Sequence, residues 1–180
     1  MFSNDILSSK EKRPGTGCEG RGGAASGTGV ESMVEIERAG VKDHGVVTAL
    51  LINFARGEGW TPEVDRDSWD RVIAELLDSD RWLFLLAWSD DEPVGLAAVN
   101  LTLTLYGSRE QARLNALIVD EAFRCTGIGG RLMEEVLASM RRRGCRELEV
   151  SLATDEDVLG FYAKFDFTGR RLLLTWECGE

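Results

Sequence analysis

Val119-Asp120-Glu121-Ala122-Phe123-Arg124-Cys125-Thr126-Gly127-Ile128-Gly129-Gly130-Arg131-Leu132 reads as the end of a strand, a short glycine loop and the start of a helix. The helix is marked by Ile128, Leu132, Met133, Val136, Leu137 and Met140, apolar at three- and four-residue spacing. Arg141 to Arg143 place cations at its C-terminus, and Gly144 supplies the stop. Gly127, Gly129 and Gly130 have no side chain to block close approach, so the amides of Arg124 to Gly130 can converge on an anion in front of the helix dipole. That arrangement suits a pyrophosphate. A dinucleotide fingerprint would need G-x-G-x-x-G early in the chain, and a nucleotidase-type loop would end in Gly-Lys-Ser/Thr; neither is present. From this segment alone, a phosphate cradle and a tight turn without ligand both stand.

A second stretch follows about thirty residues on, Val158-Leu159-Gly160-Phe161-Tyr162-Ala163-Lys164-Phe165-Asp166-Phe167. Arg124-x-x-Gly127-x-Gly129 after Leu117-Ile118-Val119 resembles the signature loop of the GNAT superfamily of N-acetyltransferases. The second stretch resembles that superfamily's Phe-Tyr-x-Lys helix and the Gly-Phe turn after it. The resemblance extends from about Val34 to Trp176. It implies an α+β (mixed α/β) fold, a central, mostly antiparallel twisted sheet flanked by helices, in the order β-α-α-β-β-β-α-β-α-β. It also implies acetyl-CoA as acyl donor and a primary amine of a small molecule or peptide as acceptor.

The residues by themselves predict similar elements. A strand runs over Met33 to Arg38, a helix over Lys42 to Arg56, and a second helix over Asp67 to Leu77, capped by Asp67 or Ser68, with Trp69, Val72, Ile73 and Leu76 inward. Strands follow over Trp82–Trp88, Val94–Leu105 and Ala112–Val119, the first two joined by a turn at Ser89 to Pro93. After the long helix come a strand over Glu147–Leu152, a short helix over Asp155–Phe165 and a closing strand over Phe167–Trp176. Residues 1–31 stand apart: seven glycines lie between Pro14 and Gly29 with no apolar period, which predicts a disordered tail before a single domain over 32–180.

With 180 residues, 43% hydrophobic and 29% charged, the chain suffices for one core. Its longest apolar runs are too short to span a bilayer, and no secretory signal opens it, so a cytoplasmic protein without membrane contact is expected. One histidine and four dispersed cysteines (Cys18, Cys125, Cys145, Cys178) predict no metal site and reduced thiols. A net charge of −10 argues against a nucleic-acid surface; it suits a cationic substrate, and equally plain solubility. A homodimer is compatible with the superfamily, though no residue here specifies one.

The resemblance assigns the cofactor contacts to the main chain of Leu117, Ile118 and Val119, to the loop Arg124, Cys125, Thr126, Gly127, Ile128, Gly129 and Gly130, and to Asp155. Asp155 stands where the family commonly has Asn; capping the short helix is the other reading of it. Tyr162 is the candidate general acid, against a tyrosine that merely packs. Glu149 is the candidate base, against a solvated strand residue; Glu58, His44 and a water chain are alternatives, and Asn115 can orient a group but not take a proton. Cys125 at a helix start could be activated, but it belongs to the phosphate end, away from a thioester. Trp60 and Trp69 flank the expected acceptor loop, as core or pocket wall. Asp166 replaces the usual Gly before Phe167 and tolerates the left-handed conformation such a turn needs. A non-catalytic domain that binds acyl-CoA as a sensor or interaction module is the alternative to an enzyme.

Overall fold

In a computed structural model, the described residues are 34–57, 65–103, 110–152 and 156–169. They fall into two units, one within residues 25–151 and one that includes residues 152–169. In the first, β1 (Val34–Arg38), β2 (Trp82–Ser89), β3 (Glu92–Leu103), β4 (Glu110–Val119) and β5 (Leu148–Val150) form one sheet in sequential order. The first four are antiparallel, and β5 runs parallel to β4. The sheet is accompanied by α1 (His44–Gly57), α2 (Arg66–Asp78) and α3 (Ile128–Arg143). The α+β class and mostly antiparallel sheet expected from the sequence are therefore observed. The expected closing strand lies largely outside the described residues, as does the N-terminal tail.

Strand alternation assigns the faces. Phe84, Leu86, Leu96, Ala98 and Ile118 form a buried cluster with Val47 and Leu50 of α1 and Ile73 and Leu77 of α2. The intervening residues face α3, where Leu132, Met133 and Val136 are fully buried. Gly95 explains how closely α3 seats. A Cβ there would lie 3.0 Å from Leu132 Cδ1 and 3.1 Å from Ile118 O, so a bare strand position admits the helix.

The local signals are mostly those anticipated, with instructive shifts. The N-cap of α2 is Asp65, not Asp67 or Ser68. Its carboxylate accepts from Asp67 N at 3.2 Å and Ser68 Oγ at 2.7 Å, and these bonds, the Ser68 hydroxyl foremost, hold its pKa below the usual value. Leu77 is buried where Val72 was expected; Val72 is 53% exposed, because the apolar stripe runs one residue further round the helix. The β2–β3 hairpin closes with Asp90 and Asp91 both at positive φ (49° and 64°), the handedness a two-residue hairpin loop requires. Gly144, at φ 74°, ends α3 with Gly144 N on Arg141 O and Cys145 N on Met140 O, both 3.0 Å.

Thr48 of α1 is fully buried, and its hydroxyl has no hydrogen-bond partner. Thr48→Val keeps the shape and removes the unsatisfied group. It is expected to stabilise the fold by about 1 kcal/mol, raising Tm by roughly 2–4 °C in thermal denaturation; a lower Tm would show that the hydroxyl is satisfied.

Candidate active site

A bulge in β4 opens the sheet. The β3–β4 register passes from Ala98↔Ala116 to Val99↔Leu114, leaving Asn115 as the extra residue. β5 pairs with β4 only at Ala112, Arg113 and Leu114, so from Asn115 onward the outer edge of β4 has no neighbouring strand among the described residues. Asp120 N donates to Val94 O at 2.9 Å, which sets the alternation: the peptide groups of Ile118 face β3, and those of Leu117 and Val119 face the open edge. Of the three main-chain positions expected at the cofactor, the outer two are thus available and Ile118 is taken up in the sheet. The sequence could not show this, because the direction of alternation depends on register.

The glycine loop begins where that edge ends. Asp120 caps a 3₁₀ turn over Glu121–Phe123, accepting from Ala122 N at 2.9 Å. Arg124 N is bound within this turn, to Glu121 O at 3.3 Å, so it does not join the loop amides as expected. Its side chain folds back, Nε lying 3.4 Å from Val119 O on the open edge. Cys125 (φ 64°) and Gly127 (φ 92°) occupy the left-handed region and turn the chain into α3. The first amide to find a carbonyl in the ordinary helical pattern is that of Arg131, on Gly127 O at 3.1 Å; those of Ile128, Gly129 and Gly130 precede it without such an acceptor. A Cβ on Gly127 would meet nothing within 4 Å, so open space lies before these amides. Uncommitted amides, a helix dipole and bare backbone fit an anionic pyrophosphate, and the open strand edge fits an extended amide-bearing arm. Thr126 Oγ1 donates to Phe123 O at 2.6 Å, bracing the turn.

Cys145 is free, and burial, helped by Glu110, pushes its thiol pKa up. Glu149 sits opposite Arg113 in the β4–β5 ladder, with Oε2 3.5 Å from Arg113 Nη2. His44 is the first residue of α1, its Nδ1 3.0 Å from Val41 O. A cavity of about 410 Å³ lies at the other edge of the sheet, lined by Glu35, Glu37, Trp88, Asp90 and Asp91. Its carboxylates repel phosphate, so the glycine loop remains the candidate site. Glu58, Trp60 and Asp155 fall outside the described residues. Among those described, no group of His, Cys, Asp and Glu could hold a metal ion, and no helix is long and apolar enough to cross a membrane.

In the second unit, α4 (Glu156–Ala163) carries Tyr162. Phe167 N on Tyr162 O (3.4 Å) and Asp166 N on Ala163 O (3.2 Å) close the helix, with Asp166 at φ 62° in the left-handed position anticipated for it. The ring of Phe167 packs edge-on against Tyr162 at 5.3 Å, and Phe161 does so from another side at 5.1 Å. Tyr162 is 7% exposed, and burial raises its pKa to about 12.

The edge of β4 left open beyond Asn115 leads directly into the glycine loop. The chain belongs to the GNAT acetyltransferase family: the model of the "Acetyltransferase (GNAT) family" matches residues 48–167. It is an acyltransferase.

Solved structures share the fold at low identity. An aminoglycoside acetyltransferase from an uncultured soil metagenomic sample, in complex with trehalose, superposes with a TM-score of 0.73 at 20% identity, over 84% of this chain and 99% of that one. A ribosomal-protein-alanine N-acetyltransferase from Brucella melitensis biovar Abortus 2308 gives 0.67 at 17%, over 82% and 100%. A predicted acetyltransferase with acetyl-CoA from Clostridium acetobutylicum gives 0.69 at 16%, over 81% and 96%. No curated protein sequence is significantly similar to this chain.

Proposed function

We propose that the protein transfers the acetyl group of acetyl-CoA directly to a primary amine of a small molecule or peptide. The observation that carries this reading is the open edge of β4 running into a loop with uncommitted amides. In it, the amides from Gly127 to Gly130 hold the pyrophosphate, and Leu117 and Val119 bond the pantetheine arm through their outward peptide groups, with Arg124 yielding Val119 O. Acetyl-CoA supplies the thioester, whose C–S bond breaks as the amine nitrogen bonds the carbonyl carbon. Glu149 takes the first proton of the incoming ammonium; the nitrogen sheds its second proton as the amide forms, and that proton restores Tyr162 after its hydroxyl proton has gone to the departing sulfur. The protein acts in the cytoplasm in this reading.

The reading is tested by titrating the purified protein with acetyl-CoA in a calorimeter and following amine-dependent thiol release. Micromolar affinity and release that depends on an added amine are expected. Absence of binding would reduce the glycine loop to a turn and overturn the proposal. Binding with no release for any amine would favour the sensor alternative within the binding half of the reading.

A further inference from the structure

A cavity of about 220 Å³ lies between α3 and the strands β1 and β2, the part of the sheet farthest from the open edge of β4. Its floor is apolar: Leu83 and Leu85 are 4% and 3% exposed, with half-buried Ile36 beside them. Ile36 pairs with Ala87 and Arg38 with Leu85, so strand alternation turns all of these lining residues to the face that packs on α3. The second half of α3 closes the other side with Glu135, Ser139, Arg142 and Arg143. Arg142 stands thirteen residues, about 20 Å of helix, beyond Gly129, so the cavity is remote from the glycine loop.

Three guanidiniums meet one carboxylate around this cavity, in a chain whose net charge is −10. Arg142 and Glu135 answer each other: Arg142 Nη2 donates to Glu135 Oε1 at 2.6 Å and to Ser139 Oγ at 2.8 Å. Arg143 gives one donor, Nη1, to the main-chain oxygen of Asp80 at 3.2 Å, a contact that leaves its charge unmatched. The side chain of Arg38 has neither a hydrogen bond nor an ion pair among the described residues. The helix dipole accounts for arginines in the last turn of α3, but not for Arg38, which reaches the same cavity from β1. Like charges gathered over an apolar floor repel one another until an anion joins them.

We propose that this cavity binds a small carboxylic acid with an apolar body. The ring or chain rests on Ile36, Leu83 and Leu85, and the carboxylate bridges Arg38 and Arg143. Each guanidinium presents a planar fork that matches a carboxylate, and both arginines keep donors for it. A space of roughly 150 Å³ suffices for a benzene ring, so about 220 Å³ takes a ring with a short acid arm. A wholly polar anion leaves the floor bare, and an uncharged apolar molecule leaves both arginines unmatched. The inference is independent of the acetyl-transfer reading, because neither acetyl-CoA nor an amine enters it.

The test titrates the isotope-labelled full chain with phenylpropanoate, octanoate, phenylpropanol and inorganic phosphate, following backbone amide shifts by NMR. The two acids are expected to bind with a Kd of about 0.1–1 mM, the range open to ligands of this size, and to shift amides of β1, β2 and the second half of α3. Phenylpropanol, which lacks the charge, and phosphate, which lacks the body, are each expected to bind at least about 10-fold more weakly than phenylpropanoate. Arg38→Gln is expected to weaken phenylpropanoate about 10-fold and to leave phenylpropanol unchanged. Equal affinity for the alcohol would reduce the cavity to an apolar cleft, and equal affinity for phosphate would reduce it to surface arginines; either overturns the inference. An affinity untouched by Arg38→Gln, shifts confined to the glycine loop, or no shift with either acid up to about 10 mM would overturn it too. The comparison of acid, alcohol and phosphate uses wild-type protein, so a folding defect in Arg38→Gln does not remove the test. Acetyl transfer stands or falls separately, by thiol release.

Discussion

Gly127→Glu is expected to weaken acetyl-CoA binding about 100-fold while the fold survives. Gly127 sits at φ 92°, so any side chain there costs about 1–2 kcal/mol of backbone strain. It costs little else, because a Cβ at this position would touch nothing within 4 Å. A carboxylate at a helix N-terminus is also no burden to the helix itself. For the ligand the balance reverses. One negative charge about 5 Å from a doubly charged pyrophosphate opposes binding by roughly 2 kcal/mol at the dielectric of water and about 7 at an effective value near 20. That spans about one to five orders of magnitude in Kd, with 100-fold a fair centre. Gly127→Ala carries the same strain without the charge, so calorimetry on the two variants separates backbone from electrostatics. Retained binding in Gly127→Glu would mean the phosphates lie elsewhere.

Tyr162→Phe is expected to lower turnover roughly 10- to 1000-fold while acetyl-CoA affinity changes little. Burial raises the phenol to about 12, so it is protonated throughout the physiological range. Against an ordinary thiol near 8.5, outright transfer from such a phenol runs uphill by about 5 kcal/mol. In the acetyl-transfer reading, the hydroxyl offers a hydrogen bond that strengthens as charge gathers on the sulfur, and its proton passes once that charge has formed. The same shift has a consequence for stability. The neutral phenol is favoured in the folded state, so its contribution is whole below the unfolded value near 10 and is lost as pH rises toward about 12. The loss is about 3 kcal/mol, and Tyr162→Phe should remove this part of the alkaline decline in a pH series of denaturant melts. Unchanged turnover in Tyr162→Phe would leave the tyrosine as a packing residue, held between Phe161 and Phe167.

Much of this was legible in the chain because it is local. Apolar spacing from Ile128 to Met140 marks α3, and Gly144 marks its end, since both act through neighbours within a turn or two. Asp166 at positive φ follows from a turn chemistry that few L residues tolerate. Where a side chain chose between near neighbours, local reading faltered: Asp65 rather than Asp67 caps α2, because a shift of two residues in the helix start decides which carboxylate reaches the first amides.

The site divides along the same line. The sequence by itself determined the glycine loop, the tyrosine helix and the order of elements around them, all encoded by short-range backbone preference and apolar periodicity. Only the tertiary structure decided that Asn115 is a bulge, that Leu117 and Val119 rather than Ile118 turn their peptide groups to the open edge, and that Arg113 faces Glu149. Those facts depend on strand register, and register is set by which faces pack against α1, α2 and α3 across the whole sheet; one residue of slip would reverse every one of them.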